Sequence, residues 1–200
     1  IIAIKDLKNF RIVSIGHRNP QGLYFDKQNN IIVSTEHGPK GGDEINIIKD
    51  DGKINNYGWP IASYGEHYPI TIERQKSKGT LDAYLKNFPL YKSHKKYSFI
   101  EPLKYFTPSI GISEIVKVSK KNQRDGLREL FLVGSLGRFS HKGEKSIHYF
   151  KIDKDYKIDK INRVYVGERI RDLFVSTNQN WIITILENTP SIGIISLIYD

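Results

Sequence analysis

The apolar runs of this chain are short and turn-bounded, and that limits its fold more than any other feature. Gly22-Leu-Tyr-Phe-Asp26, Asn30-Ile-Ile-Val-Ser-Thr35 and Glu44-Ile-Asn-Ile-Ile-Lys49 are rich in β-branched and aromatic residues and bounded by Gly, Asn, Asp or Lys. Such runs read as strands. The pattern recurs. Glu129-Leu-Phe-Leu-Val-Gly134 is followed by Ser146-Ile-His-Tyr-Phe-Lys-Ile152 and Lys160-Ile-Asn-Arg-Val-Tyr-Val166. Arg171-Asp-Leu-Phe-Val175 is followed by Trp181-Ile-Ile-Thr-Ile-Leu186 and Gly193-Ile-Ile-Ser-Leu197. Only Lys78 to Asn87 has a helical look. The expectation is an all-β fold.

Short strands at regular spacing suit a sandwich, a barrel or a propeller. Related strand groups, each followed by a longer excursion, favour propeller blades. At about 40–50 residues per blade the chain supplies roughly four. It is treated as one domain, residues 1–200, a partial β-propeller. The stretch 58–105, rich in Tyr, Lys and Pro, is expected to be a loop insertion over one face, where function usually sits.

Composition narrows the function classes. At 38% hydrophobic and 12% aromatic, the 200 residues are too apolar for a disordered chain. With no Cys, disulfides, thiolate metal sites and cysteine nucleophiles are excluded, while the compartment stays open. No run of 18 apolar residues marks a membrane-spanning helix. The net charge of +9 raises nucleic acid as a partner. The lysines are scattered, with the densest cluster at Lys92 to Lys96, so the expectation is a solvated basic surface and no nucleic-acid role. The chain starts at Ile1 and contains no Met, which suggests a processed chain or a fragment.

Three clusters carry candidate chemistry. In Gly16-His-Arg-Asn-Pro-Gln-Gly22, Arg18 and Asn19 sit on a turn beside Pro20. Arg offers paired donors and Asn a donor and an acceptor, which suits a planar polycarboxylate; a surface turn with an ion pair is the alternative. In Thr35-Glu-His-Gly-Pro-Lys-Gly-Gly-Asp-Glu44, a bent Gly-rich loop precedes two carboxylates. Carbonyls and carboxylates at a bend suit Ca²⁺; a plain connection between strands is the alternative. His37 there is read as structural. In Asn56-Tyr-Gly-Trp-Pro60, Trp59 either packs the loop or stacks on a flat ligand.

Taken in this order and spacing, the three clusters resemble the soluble PQQ-dependent aldose sugar (glucose/sorbosone) dehydrogenases, a six-bladed β-propeller family. Thr107-Pro-Ser-Ile110, Leu132-Val-Gly-Ser-Leu136 and Gly167-Glu-Arg-Ile-Arg-Asp172 resemble further elements of that family, so the resemblance covers nearly the whole chain. It implies oxidation of an aldose sugar at C1 to the lactone by hydride transfer to the quinone PQQ, with Ca²⁺ as second cofactor. Arg18, Asn19, Arg169 and Arg171 would bind PQQ. The carbonyls of Gly38 and Pro39 would hold calcium, with Asp43 and Glu44 as nearby carboxylates. Neither His17 nor His37 matches the family's catalytic base, which the resemblance places upstream of Ile1. The chain alone is therefore expected to be inactive. It also implies a periplasmic or secreted location, with a homodimer as an option and the electron acceptor unassigned.

Two positions depart from the pattern. Gly137 stands where the family has a cofactor-contacting Lys, with Arg138 next, and Ile112 stands where it has Pro. These departures keep a second reading open: a non-catalytic propeller serving as a ligand- or protein-binding module.

Overall fold

The computed structural model describes residues 1–6, 8–118, 129–137, 144–158 and 160–196. The chain opens with an antiparallel hairpin of β1 (Ile2–Ile4) and β2 (Phe10–Ile12). Strand β3 (Ser14–Ile15) pairs in parallel with β7 (Asn55–Asn56). Three larger antiparallel sheets follow. The first orders β4 (Pro20–Asp26), β5 (Ile31–Glu36), β6 (Asp43–Lys49) and β8 (Lys104–Phe106). The second orders β9 (Ile112–Val118), β10 (Glu129–Ser135), β11 (Ser146–Ile152) and β12 (Asn162–Tyr165). The third orders β13 (Ile170–Val175), β14 (Trp181–Leu186) and β15 (Ser191–Ser196). The described residues are all-β apart from two short helices and one helical turn.

Alternation along each strand decides how the sheets stack, because successive side chains point to opposite faces. Phe131 and Val133 of β10 meet Val33 and Ile45 of the first sheet, with Ile112, Ile115 and Phe150 completing that core. Leu132, between them in sequence, faces the other way, onto Ile170, Leu173 and Ile182 of the third sheet. β5 is buried along its whole length for the same reason. Val33 faces the second sheet, while Ile32 packs with Val13, Ile48 and Tyr57 under the N-terminal segment. Each fully buried side chain of this kind contributes about 1.5–3 kcal/mol. The sheets thus stack in series through their first strands, β4 against β9 and β9 against β13.

Between β7 and β8 lie α1 (Pro69–Ser77), α2 (Leu81–Asn87) and a helical turn at Lys95–Tyr97. α2 falls inside the stretch with a helical look, and α1 does not. α1 buries no residue, so no apolar stripe announces it. Its start at Pro69, a residue suited to the first helical turn, is the local signal.

Candidate functional site

One feature repeats in all three sheets and gathers the candidate residues. In each, the residue just past the second strand donates its N–H to the carbonyl just before the first. His37 donates to Asn19 at 3.0 Å, Leu136 to Gly111 at 2.6 Å, and Glu187 to Arg169 at 2.9 Å. Next to this closure every first strand carries one extra residue, shifting the register between Pro20 and Gly22, between Ile112 and Ile115, and between Ile170 and Asp172. Such bulges bend a strand and re-aim side chains, and they are common beside functional sites. Arg18, Asn19, Gly38, Gly137, Arg169 and Glu187 therefore all sit at this same end of their sheets.

Arg18 is held at three points. Its N–H donates to Glu36 Oε2 at 2.8 Å, its Nη1 donates to the carbonyl of His37 at 3.0 Å, and its guanidinium lies 5.3 Å from the Trp59 ring centroid. Trp59 thus both packs the loop and offers a cation–π face. Arg18 and Trp59 line a small recess together with Glu36, His37, Gly38 and Glu44. Asn19 is exposed beside it, its side-chain oxygen accepting from Gln21 Nε2 at 3.1 Å.

Glu36 is a functional side chain that sequence reasoning passed over. It is 4% exposed. Besides Arg18, it accepts from Asn46 Nδ2 at 2.7 Å and pairs with His17 Nδ1 at 3.0 Å. His17 Nε2 bonds the Ser14 hydroxyl at 2.8 Å. Ser14, His17 and Glu36 reproduce the connectivity of a nucleophile–base–acid relay. Ser14 is 1% exposed, however, so no substrate reaches it, and the chain of bonds serves to orient the Arg18 turn.

The Gly38–Pro39 loop is folded back tightly. A Cβ on Gly38 would lie 2.1 Å from the carbonyl oxygen of Gly42. Asp43 clamps the loop to the next sheet. Its Oδ1 accepts from Gly38 N at 3.2 Å and Ser109 Oγ at 2.9 Å, and its Oδ2 from the N–H groups of Ile110, Gly111 and Ile112 at 3.1, 2.8 and 3.0 Å. That carboxylate is committed to the backbone.

Glu44 is also buried, 7% exposed. Burial, reinforced by the charge of Glu36, pushes its carboxyl up to about 8. Glu44 is therefore protonated at neutral pH. Its Oε1 stands 3.6 Å from Nε2 of His94, whose own pKa burial lowers. A protonated acid and a neutral imidazole make a polar contact that needs no counter-charge. Among the described residues no group of three or more His, Asp or Glu is arranged to hold a metal ion.

On the third sheet, Arg169 and Arg171 converge on one acid. Arg169 Nη1 is 3.2 Å from Glu187 Oε1, and Arg171 Nη2 bonds Glu187 Oε2. Arg171 is the extra residue of its bulge, which aims it toward Glu187. Glu187 directly follows the apolar run of β14, as His37 follows β5, and this parallel was its only sequence signal. At the equivalent loop of the second sheet, Glu144 packs over Gly137; a Cβ there would lie 2.0 Å from Glu144 Cγ. Arg138 lies outside the described residues.

Known proteins resemble the chain in sequence and in overall fold. A family model described as Glucose / Sorbosone dehydrogenase matches residues 4–192. Aldose sugar dehydrogenase YliI of Escherichia coli K12 is 51% identical over 57 residues, 28% of this chain and 15% of that protein. Quinoprotein glucose dehydrogenase B of Acinetobacter calcoaceticus is 50% identical over 54 residues, 26% of this chain and 10% of that protein. Among solved structures, a glucose dehydrogenase superimposes with a TM-score of 0.67 at 27% identity, covering 94% of this chain and 46% of its own. The soluble aldose sugar dehydrogenase of Escherichia coli in its apo-form gives 0.63 at 26% identity, covering 89% and 44%. The chain thus spans less than half the length of these relatives.

Proposed function

The chain belongs to the glucose/sorbosone dehydrogenase family, and on that premise we propose that it forms part of a PQQ- and calcium-dependent dehydrogenase of aldose sugars. In this reading the sheets are blades of a six-bladed propeller, and the shared end described above faces the cofactor. One observation carries the reading. Arg18–Asn19 and Arg169–Arg171 flank equivalent closures at the start of their sheets, so the repeat brings four anion-binding side chains to one end.

The residues present fit PQQ, a tricarboxylate. Arginines supply paired charged donors, and Arg169 Nε is a buried donor with no acceptor among the described residues. For calcium, the carbonyls of Gly38 and Pro39 are the fitting groups. Asp43 is not, since it is committed to the backbone, and Glu44, whose burial favours the protonated form, would have to release its proton to join them. Bound at this end, the quinone with its calcium ion would supply the acceptor for the hydride leaving the sugar C1.

The chain's own part is orientation. Glu36 fixes the Arg18 turn, Trp59 backs the guanidinium, and Asp43 sets the height of the Gly38–Pro39 loop against the second sheet. His17 has both ring nitrogens engaged, by Ser14 and Glu36, so it is assigned no proton-transfer role. A periplasmic location, a homodimer and an aldose as substrate belong to the same proposal.

The test is a titration of PQQ with the protein in calcium, followed by quinone absorption. A spectral change that Arg18→Ala and Arg169→Ala weaken supports the reading. An unchanged spectrum with the wild-type chain would refute it and favour the second reading, a binding module without redox chemistry. The specific observation behind that second reading is Glu144 seated over Gly137, an acid in the loop where the resemblance has a cofactor-contacting lysine.

A further inference from the structure

We infer that Glu187 is a displaceable internal counter-ion guarding a polycarboxylate subsite formed by Arg169 and Arg171. The inference rests on the proposal that these arginines face an anionic ligand.

Both arginines spend their charge on one carboxylate. Each oxygen of Glu187 takes a different guanidinium, Oε1 that of Arg169 and Oε2 that of Arg171. Glu187 thus takes one nitrogen from each guanidinium, and among the described residues Arg169 Nε is buried without an acceptor and the neighbouring Glu168 Oε2 without a donor.

Glu187 is also placed to leave. Its backbone is anchored by its own N–H on the Arg169 carbonyl, so the side chain can swing without disturbing the pairing of β13 with β14. The three side chains are 30%, 49% and 33% exposed for Arg169, Arg171 and Glu187. Ion pairs at such exposure are weakly held. An incoming ligand with two or three carboxylates can engage both forks at once, through charge-assisted paired bonds that one glutamate cannot match. Arg171 and Glu187, though not Arg169, line an open cleft with Pro190 and Ile192, giving a ligand room to approach the pair from the Arg171 side. Glu187 thereby sets a threshold. A ligand with several carboxylates displaces it, and a monocarboxylate merely exchanges one acid for another.

A structural ion pair and a guard predict opposite signs when the acid is removed. Citrate is the probe, a tricarboxylate without a quinone, titrated by calorimetry into the wild type, Glu187→Gln, and Glu187→Gln combined with Arg171→Ala. The expected result is about tenfold tighter citrate binding by Glu187→Gln, from loss of the competing charge, with the gain abolished in the double variant. Acetate should gain far less than citrate. Wild-type binding that Glu187→Gln leaves unchanged or weakens overturns the guard alone. Citrate binding by none of the variants overturns the guard and the anionic reading of the pair together. Since Glu187 is partly exposed, its glutamine variant is expected to fold, and a circular dichroism spectrum matching the wild type checks this.

Discussion

The carboxylate of Glu36 accepts the backbone N–H of Arg18 at 2.8 Å, tying the end of one strand to the turn that precedes its neighbour. The same carboxylate takes the His17 and Asn46 side chains. Replacing Glu36 by Ala removes the acceptor of the Arg18 N–H and the partner of His17 Nδ1, while Asn46 Nδ2 keeps Glu44 Oε2 at 3.3 Å, and one such lost group costs about 1–3 kcal/mol. Glu36→Ala is expected to lose about 3 kcal/mol or more in urea denaturation. Glu36→Gln keeps one acceptor oxygen and should lose less. In both variants tryptic cleavage after Arg18 should rise; a turn as resistant as in the wild type would rule out the positioning role.

A second acid ties two sheets together at the opposite end. Asp26 is buried, and Lys117 Nζ lies 3.2 Å from its Oδ2. Burial alone would raise its pKa, but hydrogen bonds from Asn29 and Lys117, with the lysine's charge, overcome this and hold it at about 2 against an ordinary 3.8. A depressed folded pKa gives stability that is present above the unfolded value and lost as pH falls through the folded one. The contribution is about 2 kcal/mol. Denaturation between pH 5 and pH 2 should show that loss in the wild type and a flatter profile in Asp26→Asn, whose stability at neutral pH is lower.

Glu44 has the opposite sign. With its carboxyl raised to about 8 by burial and then by Glu36, the folded state holds a proton that the unfolded chain releases near 4.5. Its favourable contribution is full below 4.5 and is lost as pH rises from there toward 8, with a limiting slope of about 1.4 kcal/mol per pH unit. Glu44→Gln should remove most of this slope and be the more stable protein at pH 9. A wild type whose stability does not fall between pH 5 and 8 would contradict a protonated Glu44.

These residues mark how far the amino-acid sequence could be read. Strands such as Trp181–Leu186 and Ser146–Ile152 were legible, because alternation and β-branching are local properties of the chain. α1 was not, since a helix that buries nothing leaves no period to find. Arg18, Asn19 and the Gly38–Pro39 loop stood out through unusual residue types at a turn. Glu36 and Glu187 did not, because their roles depend on partners at separations of 18 and 16 residues, brought close by strand pairing and a bulge. Asp43 stood out for its charge beside glycines, yet its N–H partners at Ile110, Gly111 and Ile112 lie where another sheet begins, 67 to 69 residues on, and make it a loop clamp that no local pattern announces.

Gly137 gives a test of the departure from the family pattern. Its backbone makes no special demand, since it is absent from the glycines with positive φ. What excludes a side chain is Glu144, whose Cβ, Cγ and Cδ would lie 2.5, 2.0 and 2.2 Å from a Cβ at this position. Overpacking of this kind costs about 1–3 kcal/mol. Gly137→Ala is therefore expected to destabilise the wild type by about 2 kcal/mol, and by less than about 0.5 kcal/mol when Glu144 is already Ala. The double-mutant cycle, measured by urea denaturation, should return a coupling of the size of the single cost. If it does, Gly137→Lys with Glu144→Ala restores both the charge and the space that the family pattern implies, and PQQ should bind more tightly to that double variant than to the wild type. Equal destabilisation by Gly137→Ala in both backgrounds would mean that Glu144 yields freely and that the glycine is held by something else in the loop.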